Sequence, residues 1–216
     1  MWPSSRVMFK SLVPSMGSQW SRWLANRAPG SSGSKLSTSF NQQLNEQINR
    51  EFSAAYIYFG LFSHFHRPEI ALKGMASCFF NDYKEELSHA QQFMEYQAQR
   101  GGSLELLPIQ KPTIGKIELP ITAMERALEQ ENDLYTHLRE MNRLAEEEGD
   151  AHLSDFLVDF LKHQLEDISH KTEMATVLRR VGDGVGLHMY DQEILKSLGS
   201  KSILSESSNA SEQGLP

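Results

Sequence analysis

Residues 79–93 read FFNDYKEELSHAQQF and predict an amphipathic helix that carries a polar pair on its apolar face. Side chains at steps of three and four residues share one face of an α-helix, and here they are Phe79, Tyr83, Glu86, Ala90 and Phe93. His89 follows Glu86 by three residues, so a carboxylate and an imidazole on adjacent turns can reach one metal ion. An isolated E-x-x-H is common on solvated helix faces, so the pair needs support from the rest of the chain.

Three other helix-like segments carry polar side chains inside apolar faces of the same kind. Their faces comprise Leu44, Ile48, Glu51, Ala55, Tyr58 and Phe62; Met124, Leu128, Glu131, Tyr135, Leu138 and Asn142; and Leu153, Leu157, Phe160, Gln164 and Ile168. Burying ionisable oxygens is unfavourable unless a cation or a hydrogen-bonding partner compensates them. One such residue would be an ordinary core side chain, but six on four helices predict a shared metal site. The six are Glu51, Tyr58, Glu86, His89, Glu131 and Gln164.

The donor types indicate which metal this site would take. Carboxylate oxygens with a single imidazole favour iron or manganese over a structural zinc ion, which prefers Cys and His in a closed tetrahedron. We therefore expect a di-iron centre. The single cysteine, Cys78, lies in the apolar run 75–80 and is predicted to be a buried hydrophobic side chain.

Proline and glycine residues divide the body of the chain into helices. We expect long helices at residues 37–66, 72–100, 120–147 and 150–180, and a short fifth one at 187–198. The first and third joints are short, which implies antiparallel neighbours, whereas residues 103–119 can cross the length of a bundle. The prediction is an all-α four-helix bundle with one long crossover and a short C-terminal fifth helix, spanning residues 37–198.

Charge is distributed very unevenly along the 216 residues. Of the 21 basic and 28 acidic side chains, five basic and no acidic ones lie in residues 1–45, so the rest carries a net charge of −12. An acidic body argues against nucleic acid as a partner, because such binding needs Lys and Arg to neutralise phosphates. It suits a protein that attracts cations. No apolar run approaches the roughly 20 residues that span a membrane.

The first 36 residues form an Arg-rich, Ser-rich and acid-free leader that is typical of mitochondrial transit peptides. We expect mitochondrial import with cleavage between Ala25 and Ser37. The alternatives are a disordered arm of a cytoplasmic protein and a secretory signal, for which the apolar stretch is short and broken by Pro3 and Pro14. The Ser-rich residues 199–216 are predicted to be a disordered tail.

Several segments together closely resemble heavy-chain-type ferritin. They are INREFSAAYIY at 48–58, EELSHA at 85–90, QRGG at 99–102, AMERAL at 123–128 and HLSDF at 152–156. The resemblance covers about residues 40–198, and with the leader it extends to ferritins imported into mitochondria. It implies a ferritin-like fold and an iron-storage ferroxidase, which oxidises Fe(II) with dioxygen and stores ferric oxo-hydroxide. It also implies a hollow cage of 24 subunits, homo-oligomeric or mixed.

By this resemblance, Glu51, Glu86 and His89 match the ligands of the first iron, with Glu86 bridging to the second. Glu85 matches the acid that passes iron onward. Glu131 matches the main ligand of the second iron.

Gln164 matches an amide beside the second iron, and Tyr58 matches a tyrosine hydrogen-bonded next to the centre. Between Asp155 and Gln164 the chain is one residue shorter than the family pattern, so a strict count would put Leu165 in the place of Gln164. We favour Gln164 because residues 178–182 then align without a further gap.

Two other family features are altered in this chain. Ser88 and Gln91 stand where the family has acids that favour mineral nucleation, which predicts weaker nucleation. Asp155 matches one of the two acids of the three-fold pore, but the other falls near Val158, with Asp159 beside it.

Three other functions are alternatives to an iron-storage ferroxidase. The first is an iron-storage subunit that lacks ferroxidase activity, which the intact ligand set argues against. The second is a di-iron oxidase of organic substrates, which would need a second carboxylate–histidine motif. Asp167-x-x-His170 imitates one, but we expect this pair to face outward or towards another subunit. The third is a metal-free bundle, which would not bury so many acids and amides.

Overall fold

The computed structural model describes residues 35–112, 117 and 119–210, with side chains as far as Leu198. The predicted leader therefore lies outside the described residues except at 35 and 36. The helices are α1 Thr38–Phe65, α2 Lys73–Gln99, α3 Pro120–Glu148, α4 Ala151–Val181 and α5 Val185–Ala210. In the described ranges there is no strand. The predicted all-α bundle of four long helices with a C-terminal fifth helix is confirmed.

The ends of these helices follow from local chemistry. The Ser37 hydroxyl accepts a hydrogen bond from the Phe40 backbone N–H at 3.2 Å, which caps the start of α1. Pro120 opens α3, where a missing N–H does no harm. Gly149 ends α3 in the left-handed conformation, with φ of 72°, and Asp150 then caps α4 by accepting from the Leu153 N–H.

Antiparallel pairs form the bundle: α1 packs against α2, α3 packs against α4, and α1 also contacts α3. The side chains between them are fully buried and include Leu44, Tyr58, Leu61, Phe79, Phe93, Met124, Leu134, Leu138, Leu153 and Leu157. Cys78 is buried, as predicted.

The start of the crossover lies along α1, held by a row of asparagines at steps of four. The side-chain amide of Asn45 donates to the Ser103 carbonyl at 3.4 Å, and that of Asn49 donates to the Leu107 carbonyl at 3.1 Å. The Gln97 amide donates to Asn45 Oδ1 at 3.0 Å, which ties α1, α2 and the crossover together. These bonds direct the chain from the end of α2 back along the bundle.

The fifth helix is longer than the sequence prediction of 187–198. It begins at Val185, directly after Gly184 with φ of 94°, and its backbone continues to Ala210. Gly199 and the serines beyond it indicated a stop, but glycine weakens a helix by only about 1 kcal/mol and no proline follows before Ala210. Residues 211–216 lie outside the described part of the chain.

Packing of α5 against α2 is close. A Cβ on Gly74 would lie 2.0 Å from the Asp191 carbonyl oxygen, so only glycine permits this approach. Asp191 also accepts from the Met75 N–H at 2.9 Å. Among the helices described, none is both long and apolar enough to cross a membrane.

Candidate metal centre

Glu51 on α1 and Glu86 and His89 on α2 form a buried cluster halfway along the bundle. Their side chains are almost inaccessible, with exposures of 1%, 4% and 6% for the three residues. One ligand atom from each lies within 4.8 Å of the other two. His89 Nδ1 is 3.4 Å from a carboxylate oxygen of Glu86 and 3.9 Å from Oε2 of Glu51. The E-x-x-H pair thus converges with an acid from the neighbouring helix.

The Glu51 carboxylate is oriented from behind by a chain of hydrogen bonds. Gln47, one turn earlier on α1, donates from Nε2 to Glu51 Oε1. The side-chain oxygen of Gln47, Oε1, in turn accepts a hydrogen bond from Nδ1 of His137 on α3. The side-chain amide of Gln47 is therefore fixed in direction, and it leaves the second oxygen of Glu51 pointing at the cluster.

That second oxygen makes the cluster one that could hold a cation. Glu51 Oε2 is buried and has no hydrogen-bond donor among the described residues, although buried carboxylate oxygens are almost always satisfied. A metal ion between Glu51, Glu86 and His89 would supply the missing positive charge. The donor set, two carboxylates and one imidazole, fits iron.

The pKa values within the cluster are consistent with a site for a metal ion. Burial and the nearby charge of Glu86 raise the pKa of Glu51 well above its ordinary value. Burial opposes ionisation of Glu86 too, but its hydrogen bond with His89 lowers the pKa of Glu86. Burial alone would lower the pKa of His89, yet Glu86 and Glu51 raise it to about 10. Without metal, protonated His89 thus offsets the charge of Glu86, while burial and Glu86 favour the neutral form of Glu51.

Glu131 on α3 meets Tyr58 on α1 and Gln164 on α4 in a second buried group, and Glu131 lies outside the three-residue cluster. All three are buried. The Tyr58 hydroxyl donates to Glu131 Oε1, and Gln164 Nε2 donates to Glu131 Oε2. Gln164 also donates to the Glu131 backbone carbonyl at 3.2 Å. Leu165, the alternative from a strict count, is 50% exposed and faces away.

Two charged residues of this region were missed from the sequence. Lys171 on α4 is buried, and its Nζ lies 3.0 Å from Glu131 Oε1 and 3.6 Å from Asp82 Oδ1. Lys171 follows Gln164 by seven residues and Asp82 precedes Glu86 by four, so both continue inner faces already recognised. The sequence pattern instead placed Ile168 on the inner face of the fourth helix, but Ile168 is only half-buried.

Burial also changes the ionisation of this pair and its neighbours. Burial raises the pKa of Asp82 to about 7, although the ammonium group of Lys171 opposes the shift. Burial alone would lower the pKa of Lys171, but Asp82 and Glu131 raise it well above its ordinary value. Burial and the charge of Glu131 raise the pKa of Tyr58, so its hydroxyl remains a hydrogen-bond donor.

The remaining predicted residues lie outside the buried cluster. Glu85 is exposed on α2, outside the buried cluster, and its role in passing iron stays a prediction. In the Asp167-x-x-His170 motif, His170 is exposed and Asp167 is half-buried. Burial and Glu85 raise the pKa of Asp167 to about 7. This pair does not form a second carboxylate–histidine site within the described chain.

Comparison with known proteins settles the family. The family model described as a ferritin-like domain matches residues 41–181. The chain belongs to the ferritin family. Soma ferritin from Lymnaea stagnalis is 36% identical over 155 residues, which cover 71% of this chain and 89% of the snail protein.

Plant ferritins are similarly related. Ferritin-1, chloroplastic, from Brassica napus is 40% identical over 158 residues, which cover 70% of this chain and 62% of the plant protein. Ferritin-3, chloroplastic, from Arabidopsis thaliana is 38% identical over 158 residues, covering 70% and 61%. The match thus spans about three fifths of the length of these plant relatives.

Proposed function

We propose that this ferritin-family chain is an iron-storage ferroxidase of the heavy-chain type. Fe(II) is the substrate, dioxygen accepts its electrons, and the ferric product is stored as an oxo-hydroxide mineral in a multi-subunit cage. The observation that carries the proposal is the buried cluster of Glu51, Glu86 and His89, in which Glu51 Oε2 has no hydrogen-bond partner.

Each side chain has a distinct part in this proposal. Glu51, Glu86 and His89 bind the first iron, and Glu86 extends towards the second. Glu131 is the main ligand of the second iron, while Gln164 and Tyr58 orient its carboxylate through their hydrogen bonds. Carboxylates stabilise the higher charge of the ferric product more than that of Fe(II), which favours oxidation at this centre.

Iron oxidation by the assembled protein tests the proposal. Fe(II) is added in air to wild type and to Glu86→Ala and His89→Ala, and the ferric absorbance is followed with time. We expect each variant to oxidise iron at least about tenfold more slowly, since each removes a ligand. Glu129→Ala is the matched control, because Glu129 is exposed and its ion-pair partner among the described residues is Arg126 on its own helix. If wild type oxidises Fe(II) no faster than the ligand variants, the proposal is wrong.

A cage is supported by an exposed aromatic face on α1 and α2. Phe59 and Phe80 are each more than a third exposed, and they contact Phe62 and Tyr83 in one aromatic group. Exposed apolar groups of this size mark protein–protein contacts. We propose that they meet other subunits, either copies of this chain or other ferritin chains, in a shell of 24.

A second candidate is a storage subunit with little ferroxidase activity that assembles with active chains. It is favoured by one observation, the ion pair between Lys171 and Glu131. The oxidation experiment distinguishes the two functions: a wild-type rate close to those of the ligand variants, with normal assembly, would favour the second. Mineral growth should be slow in either case, because Ser88 and Gln91 stand where ferritins have acidic side chains that favour mineral nucleation.

We also propose that the leader directs the protein into an organelle, the mitochondrion. Its Arg-rich, acid-free composition supports import, and the plant relatives are named chloroplastic. Fusion of residues 1–45 to a fluorescent protein tests this. Mitochondrial fluorescence is expected; plastid fluorescence would correct the compartment, and a cytoplasmic signal would contradict import.

A further inference from the structure

The two halves of the metal centre differ in how far their oxygens are already satisfied. Glu51 Oε2 is buried without a donor. Both oxygens of Glu131, by contrast, have partners: Oε1 accepts from Tyr58 and contacts the Lys171 ammonium, and Oε2 accepts from Gln164. The first half thus has an unsatisfied carboxylate oxygen, whereas the carboxylate of the second half already contacts a lysine ammonium group.

Lys171 is held in this position from several sides. Its side chain is only 6% exposed, and lysine is rarely buried unless it is paired. Nζ lies 3.0 Å from Glu131 Oε1, 3.6 Å from Asp82 Oδ1 and 5.2 Å from the centre of the Tyr58 ring. The ammonium group thus lies between two carboxylates at ion-pair distances, with an aromatic face beside it.

A divalent ion bound by Glu131 would therefore approach an existing positive charge. Unit charges about 4 Å apart repel strongly in a poorly solvated region, so a metal ion and the ammonium group cannot share this carboxylate without a large penalty. Glu131 lies in the half proposed above to bind the second iron.

We propose that Lys171 holds the second cation position of the centre, so that a second metal ion must displace the ammonium group from Glu131, a competitor that the first metal ion does not meet. The inference rests on the proposed function, since it concerns the same centre. It makes Lys171 the residue that sets the number of tightly bound ions. A chain with an uncharged side chain at 171 would bind two ions with more similar affinities.

Anaerobic titration of the assembled protein with Co(II), followed by calorimetry and visible absorption, tests this inference. Wild type is expected to bind one tight ion per chain at Glu51, Glu86 and His89, and a second at least about tenfold more weakly. In Lys171→Met, which removes the charge but keeps an unbranched stem, the second ion is expected to bind at least about tenfold more tightly than in wild type.

Two further variants make the result decisive. Lys162→Met is the matched control on the same helix, because Lys162 is exposed and, in the part of the chain that the structure describes, pairs with Asp159. It is expected to titrate like wild type. Asp82→Asn combined with Lys171→Met removes both charges of the pair, so it preserves the local net charge if the single variant folds poorly. It too is expected to strengthen the second ion.

The outcomes separate this inference from the proposed function. Unchanged second-ion affinity in both Lys171 variants, or two equally tight ions in wild type, would overturn the role of Lys171 and leave the ferroxidase proposal standing. Retention of the first tight ion by Glu51→Gln and His89→Asn would instead show that the centre itself is misassigned.

Discussion

Gln164 and Leu165 are chain neighbours with opposite surroundings, 4% and 50% exposed. Because Gln164 donates to buried Glu131, Gln164→Leu should lower the free energy of unfolding by about 1–3 kcal/mol. Denaturant titration of the metal-free protein measures this change. Leu165→Gln is the matched substitution at the exposed position and should shift stability by no more than about 0.5 kcal/mol. Equal losses at the two positions would contradict the placement of α4.

His89 should make the stability of the metal-free protein depend on pH. Its pKa is raised from 6.5 to about 10, because Glu86 and Glu51 outweigh the opposing effect of burial. The stabilisation from its proton is therefore complete below about pH 6.5 and is lost as the pH rises towards 10. His89→Asn should lose on the order of a few kcal/mol at pH 6 and much less near pH 10. A loss of stability in His89→Asn that stays constant from pH 6 to pH 10 would contradict the raised pKa of His89.

The candidate site was only partly predictable from individual residues. Polar interruptions in apolar stripes identified Glu51, Glu86 and Glu131, because few other arrangements place acids on the inner face of a helix. Lys171 was missed because lysine is normally solvated, and its burial depends on Asp82 from a different helix. Sequence periodicity predicts which side chains of one helix face the core, but it does not reveal ion pairs formed between helices.

At the scale of elements, Asp150 joins the end of α2 to the start of α4. It accepts from the Leu153 N–H as a cap and pairs with Arg100 at 2.7 Å. Asp150→Ala should lose about 2–4 kcal/mol in thermal or denaturant unfolding, since it removes the cap and leaves Arg100 buried without its partner carboxylate. Asp150→Asn keeps the cap, so it should lose less. An asparagine variant as unstable as the alanine variant would show that capping contributes little.

Helix boundaries were predicted wherever capping chemistry is local. Ser37, Pro120 and Asp150 each act within one turn, and the observed ends of the four long helices fall within a residue or so of those expected. The end of α5 was not predicted, because glycine and serine weaken a helix without blocking it. The path of the crossover was also unpredictable, since it depends on asparagines of α1 more than fifty residues away.

For the whole molecule, we expect assembly through the exposed aromatic face of α1 and α2. Phe59→Glu would bury a charge against the neighbouring subunit, so it should convert cages to much smaller species in sedimentation velocity. Lys162→Glu is a control on the exposed surface of α4. A normal cage from Phe59→Glu would contradict the use of this face, and neither result would bear on iron binding within one chain.

Anomalous diffraction from crystals soaked anaerobically in Fe(II), measured on both sides of the iron absorption edge, shows directly where iron binds. We expect an anomalous difference peak within bonding distance of Glu51, Glu86 and His89, with Glu51 Oε2 among the ligands. Iron bound elsewhere, with these three side chains still paired to one another as in the metal-free protein, would contradict it.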